Sequence, residues 1–275
     1  MTPPRTSSST SLYAIFAAAL VGIGLFHDPT ADVAHPGSPP DLVPKVQFSG
    51  NTTVPSDRLR TAIAEYPLFD DAGEIVQEVL ERDLLLISAF YWDRGHAQVK
   101  VGKPVISPSR DAVTIPIEEG PVFTMGPVTV TGDLIGSAKA NLAMVRVRPG
   151  VIFSRTRIAN DREKLSDFYQ DQGYAYANVL PLTKVDLVRK TIGLTFEITR
   201  GKRSYFERIE IHGNSKTPTP TIRRAMKIEE GDLFTNMDLV DGKRRVQALG
   251  FDEVAIATKR GSSDELVVLI IEVQE

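Results

Sequence analysis

One short pattern occurs three times in this chain at an almost constant interval. Val46-Gln47-Phe48-Ser49-Gly50, Val128-Thr129-Val130-Thr131-Gly132 and Ile209-Glu210-Ile211-His212-Gly213 each alternate apolar and polar residues and end at glycine. Gly132 follows Gly50 by 82 residues, and Gly213 follows Gly132 by 81. That period is the length of a small domain, well above that of a solenoid repeat, so the chain folds as tandem copies of one unit. The alternation reads as a half-buried strand stopped by a turn.

The rest of each unit follows from further matches. Gly150-Val151-Ile152-Phe153-Ser154 corresponds to Gly231-Asp232-Leu233-Phe234-Thr235, with Ser or Thr where a helix N-cap belongs. Apolar residues then recur at offsets 0, 7 and 10: Leu80, Ile87 and Phe90; Ile158, Leu165 and Phe168; Leu239, Val246 and Leu249. These offsets are read as one helical face. Gly95, Gly173 and Gly250 stop the helices in a position suited to a left-handed C′ residue. A short strand follows each stop, at 97–101, 176–180 and 254–258. An alternating strand closes each copy, at 113–117, 192–198 and 266–273. An earlier helical stretch lies at Arg58 to Ala64 in the first copy and Thr221 to Met226 in the third.

The expected fold class is α+β: three tandem β-α-α-β-β domains, each a three-stranded mixed sheet with two helices on one face. The boundaries read 45–120, 121–201 and 202–275. Glu119-Gly120-Pro121 and Arg200-Gly201-Lys202 are the linkers, with limited bending expected at Gly120 and Gly201.

Residues 1–26 read as a signal peptide or N-terminal anchor. Arg5 and a small hydroxylic run precede fifteen apolar residues at 12–26, fewer than the ~20 that span a bilayer comfortably. A cleaved export signal fits this layout, and an uncleaved inner-membrane anchor is the alternative. Residues 27–44 hold five prolines and read as an extended linker.

Composition removes several function classes. The chain has 275 residues and no cysteine, which excludes disulfides, thiolate zinc sites and cysteine nucleophiles. A net charge of −3 supplies no basic excess for nucleic acid. The four histidines are scattered, and neither a phosphate loop nor a dinucleotide fingerprint occurs outside the apolar N-terminal segment. Asp161, Glu163 and Asp167 share a helix with interleaved Arg162 and Lys164, which reads as a solvated face. Glu118 and Glu119 read as a solvated strand end. Neither an enzyme, a cofactor, a metal site nor a small-molecule substrate is expected.

The order of elements and glycines resembles POTRA domains, the polypeptide-transport-associated modules of the BamA family of outer-membrane protein assembly factors and of two-partner secretion transporters. The third copy carries the likeness most fully: Ile209 to Asn214, Thr221-Ile222-Arg223-Arg224, Glu230 to Phe234 and Leu249-Gly250-Phe251. The second adds Phe168 to Tyr174, and the first Gly50-Asn51-Thr52 and Phe90 to Gly95. The resemblance spans residues 45–275 and implies a periplasmic scaffold associated with the outer membrane. Its implied partners are unfolded outer-membrane proteins, an outer-membrane β-barrel and assembly-complex lipoproteins. The family usually continues into a membrane β-barrel, and the sequence stops at Glu275, where that barrel would begin. The expectation is a stand-alone POTRA protein, or part of a split or truncated factor. An inner-membrane-anchored envelope adaptor, as in cell division, is the alternative.

In such a unit the strand after the second helix is expected at a sheet edge, where unpaired backbone groups can accept an extended chain. The candidate client-binding residues are Gln98, Val99, Lys100 and Val101; Asn178, Val179 and Leu180; and Val254, Ala255, Ile256 and Ala257. Lys100, Lys103 and Lys259 are candidate guards against unwanted pairing. Trp92, the single tryptophan and off the apolar stripe, is the candidate exposed partner contact.

Overall fold

Gly50, Gly132 and Gly213 end the first strand of each copy because a side chain does not fit there. All three have positive φ. A Cβ would lie 2.1, 2.1 and 1.9 Å from the carbonyl oxygens of Ile117, Ile198 and Val273 respectively. The glycine therefore lets the first strand leave the sheet hard against the closing strand.

In this computed structural model, residues 45–63, 68–70, 74–108 and 112–275 are described, all within the unit Asp41–Glu275. The apolar segment 12–26, the proline-rich linker and Ala64 lie outside the described residues. The first copy contains β1 (Lys45–Ser49), α1 (Ser56–Ile63), α2 (Gln77–Trp92), β2 (Lys100–Val101), β3 (Val105–Ile106) and β4 (Ala112–Glu118). The second contains β5 (Thr124–Gly132), α3 (Ala138–Met144), α4 (Arg155–Asp171), β6 (Asn178–Asp186) and β7 (Thr191–Thr199). The third contains β8 (Tyr205–His212), α5 (Thr219–Met226), α6 (Asn236–Gln247), β9 (Glu253–Arg260) and β10 (Leu266–Gln274).

Each sheet places the closing strand in the centre. The orders are β1-β4-β2, β5-β7-β6 and β8-β10-β9, with β3 also paired to β4. The first strand runs parallel to the centre, and the strand after the second helix runs antiparallel. Alternate residues of the central strands are buried: Val113, Ile115 and Ile117; Ile192, Leu194, Phe196 and Ile198; Leu269, Ile271 and Val273. They face the two helices of their own copy, giving three separate cores.

Ser154 and Thr235 cap their helices, accepting hydrogen bonds from the N–H of Arg157 and Asp238 at 3.2 and 3.1 Å. The apolar stripe departs from the sequence expectation. Its third member is Tyr91 or Tyr169, both fully buried, whereas Phe90 and Phe168 are only half-buried. At 3.6 residues per turn, a residue eleven places on returns to within about 20° of the start, while one ten places on is about 80° away. In the third copy Leu249 is exposed, because α6 ends at Gln247 and is shorter than α4 by more than a turn.

Candidate functional site

The outer rim of each sheet differs between copies. In the first, the edge position is split between β2 and β3, and the pairing changes register between them: Val101 faces Ile117, but Val105 faces Thr114. Gly102-Lys103-Pro104 fills the break. Gln98 and Val99 are not in a strand at all. They lie in the turn after α2, where the N–H of Val99 donates to the carbonyl of His96 at 3.1 Å. This corrects the expected edge at 98–101 to the two residues Lys100 and Val101.

In the second copy the strand expected at 176–180 begins only at Asn178, with Tyr176 and Ala177 in the turn before it, and runs on to Asp186. β6 pairs with β7 without interruption from Asn178↔Thr199 to Asp186↔Thr191. Pro181 sits inside that ladder opposite Phe196 without a bulge, so its nitrogen faces away from β7 and the rim lacks one donor. Val179 is buried toward the helices, and Leu180 and Leu182 are exposed.

In the third copy β9 pairs with β10 continuously from Glu253↔Gln274 to Arg260↔Val267 and contains no proline. Val254 is buried, Ile256 packs against the core, and Ala255 and Ala257 are exposed small residues. The far end carries charge in ion pairs: Lys259 with Glu210 at 3.0 Å, and Arg260 with Asp264 at 2.9 Å. The opposite rims are partly covered. Thr124 of β5 bridges Ile152, and Tyr205 of β8 bridges Leu233.

The copies meet through a repeated joint. The Gly95 carbonyl accepts from Phe123 N–H, and the Gly173 carbonyl from Ser204 N–H, both at 2.8 Å. Phe153 then donates to the carbonyl of Phe123, and Phe234 to that of Ser204. An aspartate two residues before each glycine reaches the next copy's second helix. Asp93 accepts from the N–H of Thr156 at 2.9 Å and from the hydroxyls of Ser154 and Thr156. Asp171 accepts from the N–H of Met237 at 2.7 Å, while Asp167 accepts from the Asn236 amide at 3.1 Å. Both backbone donors occupy the second position of their helix, where a carboxylate also meets the positive end of the helix dipole. The sequence carries this as Asp-x-Gly in the first two copies and Ala248-Leu249-Gly250 in the third. Single-residue reading did not pick it out.

These contacts account for Trp92. It packs against the core of the second copy, and the Arg155 guanidinium lies over its ring at 4.6 Å. The expectation of an exposed contact is corrected: the neighbours of Trp92 belong to the chain itself. Ala175 and Tyr176 make the equivalent contact with the third core, and the Tyr176 hydroxyl donates to the carbonyl of Leu266 at 2.9 Å. Gly120 and Gly201 lie between copies with φ of 65° and 74°.

Two acids expected in solvent are buried. Asp161 accepts from the N–H groups of Arg146 and Val147 at 2.7–2.9 Å. Glu119 accepts from the hydroxyls of Thr52 and Tyr91 at 2.6 and 2.9 Å and from the N–H of Thr53 at 2.9 Å. Burial alone would raise the Glu119 carboxyl, but these donors together outweigh it and hold it at about 2. The same carboxyl raises the Tyr91 phenol, on which burial acts most strongly. His96 is also buried, its Nδ1 3.1 Å from the Gly120 carbonyl. In the groove lined by Arg146, Asn160, Asp161, Glu163, Lys164 and Asp167, the Asp161 carboxylate is already engaged by backbone donors. Among the described residues no cluster of three or more His, Asp or Glu is placed to hold a metal ion.

The POTRA family, described as surface antigen variable number repeat, matches residues 42–120, 123–201 and 204–275. The chain belongs to the POTRA family. It is 25% identical over 245 residues to the outer membrane protein assembly factor BamA of Nitratidesulfovibrio vulgaris, covering 84% of this chain and 31% of that protein. It is 27% identical over 238 residues to BamA of Neorickettsia risticii, covering 83% and 32%. The chain thus spans about a third of the length of these curated relatives. POTRA domains 3–5 of Haemophilus influenzae BamA share the fold, with a TM-score of 0.72 at 22% identity over 85% of this chain and 96% of that one. The three-stranded mixed sheets with paired helices are therefore three consecutive POTRA units. Among the described residues no helix is long and apolar enough to cross a membrane.

Proposed function

We propose that this chain is a periplasmic, non-enzymatic scaffold in outer-membrane β-barrel assembly. It holds extended segments of unfolded outer-membrane proteins, and of partner subunits, by β-augmentation. The observation that carries this reading is the rim of the third unit. β9 runs eight residues with no proline and no bulge, and in the sheet order no strand lies beyond it among the described residues. Its outward backbone groups can pair with any extended chain, giving affinity that depends little on client sequence. Alternation of Val254 and Ile256 with Ala255 and Ala257 leaves one side of an added strand against small residues and the other beside α6. The relatives' description as outer membrane protein assembly factors agrees with such a client class.

The rims also rank. β9 is the best template, β6 is weakened by Pro181, and the β2–β3 rim is too broken to register a strand. Ile256 occupies in β9 the place that Pro181 occupies in β6, opposite Ile271 and Phe196 respectively. Ile256→Pro should therefore remove an outward donor while leaving the β9–β10 ladder paired. Pro181→Val should restore one in β6. Binding of an unfolded barrel-precursor segment to the full chain is expected to fall severalfold in the first variant and rise in the second. Unchanged affinity in both would exclude rim pairing as the mode of capture.

A further inference from the structure

The hairpin at the end of β6 has a character its counterpart lacks. Between β9 and β10 the turn is Gly261-Ser262-Ser263-Asp264-Glu265, wholly polar, and Ser262 N–H is tied to the carboxylate of Glu207 at 2.8 Å. Between β6 and β7 the turn is Leu187-Val188-Arg189-Lys190. Leu187 is 62% exposed and Val188 94% exposed. Such exposure costs solvation and would favour burial if the turn could fold back. It is held out instead. Asp186 accepts from the N–H of Val188 at 3.0 Å and of Arg189 at 2.9 Å, and Lys190 takes a left-handed conformation with φ of 52°.

Charge surrounds these apolar residues on one side of the balance. Lys184, Arg189 and Lys190 are exposed cations. The one acid among them, Asp186, is engaged by the two N–H groups and by Arg189 at 3.4 Å. Leu182 and Val185 are exposed as well, on opposite faces of β6.

We infer that this hairpin tip is a contact site for an anionic phospholipid surface, with Leu187 and Val188 entering the interfacial layer while Lys184, Arg189 and Lys190 meet lipid phosphates. The tip is too small for a stable protein–protein interface, which buries about 800 Å² per partner. Interfacial anchoring needs less, because a few apolar groups and nearby cations add to one another. The inference is independent of rim pairing.

The test uses the absence of cysteine. Val188→Cys in the full chain takes a single polarity-sensitive dye, as does Ser263→Cys on the polar hairpin. With vesicles of phosphatidylglycerol and phosphatidylcholine at low salt, dye at 188 should shift to the blue and dye at 263 should not. Pure phosphatidylcholine should give no shift at either site. Lys184→Gln and Lys190→Gln should each weaken the response about fivefold, the loss expected for one cation near a charged bilayer. Leu187→Ser should weaken it further. Vesicles that carry the chain down on sedimentation while dye at 188 stays in water would overturn the inference, since attachment then lies elsewhere. Equal shifts at 188 and 263 would also overturn it.

Discussion

Glu119 and Glu275 do the same work at opposite ends of the described fold. Each closes the loop after the first strand of its unit by accepting from that loop's N–H and hydroxyl groups; Glu275 takes Ser215, Lys216 and Thr217. Both carboxyls lie at about 2, because loop donors outweigh the effect of burial. A folded-state value below the ordinary 4.5 means stability that is present above pH 4.5 and lost as pH falls toward 2. For buried Glu119 the amount is on the order of 3 kcal/mol. Glu119→Gln should lower stability at pH 7 by about 1–3 kcal/mol and flatten the dependence between pH 4.5 and 2. Denaturation followed by Trp92 fluorescence reads it, since the only tryptophan lies in the first unit. A variant with the full wild-type loss across that window would place the titration elsewhere. Gly132→Ala should cost more than 2 kcal/mol, measured as a fall in thermal midpoint, because a Cβ there meets the Ile198 carbonyl at 2.1 Å. That glycine was legible, since a strand ending at glycine three times over is a local pattern. Glu119 was not: its partners at 52 and 53 are 66 or more residues away, and a single sequence carries no sign of them.

At the scale of elements, strands and caps read well, and lengths read poorly. The caps at Ser154 and Thr235 are local chemistry and appear where the sequence puts them. β6 extends to Asp186 because every residue from 178 to 186 finds a partner on β7, which alternation over a few residues does not reveal. The first rim is broken for a reason legible in the sequence: Gly102 and Pro104 bracket the register change. Phe90 and Phe168, ten places along their helices, lie about 80° from the start of the stripe, whereas Tyr91 and Tyr169, eleven places along, lie within about 20° of it. The two tyrosines are buried because each hydroxyl has a partner, Glu119 in one unit and Asn141 in the other. Tyr169→Phe therefore leaves Asn141 and the N–H of Ile135 short of a hydrogen bond and should cost about 1–2 kcal/mol, measured by denaturation.

Across the whole molecule the two joints are built alike, which makes the relation between units a property of the sequence rather than of packing alone. Asp93→Ala and Asp171→Ala each leave the N–H of the second residue of a helix in the following unit without its acceptor, while the caps at Ser154 and Thr235 remain, so each should speed amide exchange at Thr156 or Met237 respectively. The cost to stability should be about 1 kcal/mol apiece. We propose Gly120 and Gly201 as the pivots about which the units then bend, and small-angle scattering should show a broader distribution of sizes in the double variant. Protection at those amides equal to wild type would mean that the apolar contacts of Trp92 and Tyr176 hold the joints by themselves.

In the proposed function an extended client pairs with the rim of the third unit. Hydrogen exchange on the full chain, with and without an unfolded outer-membrane barrel segment, tests it at the level of single amides. Client should slow exchange within Glu253–Thr258 and, more weakly, within Asn178–Leu180, with no change along β8 or in the broken rim at Lys100–Ile106. Protection confined to β8, or bound client with no protected rim amide, would contradict it.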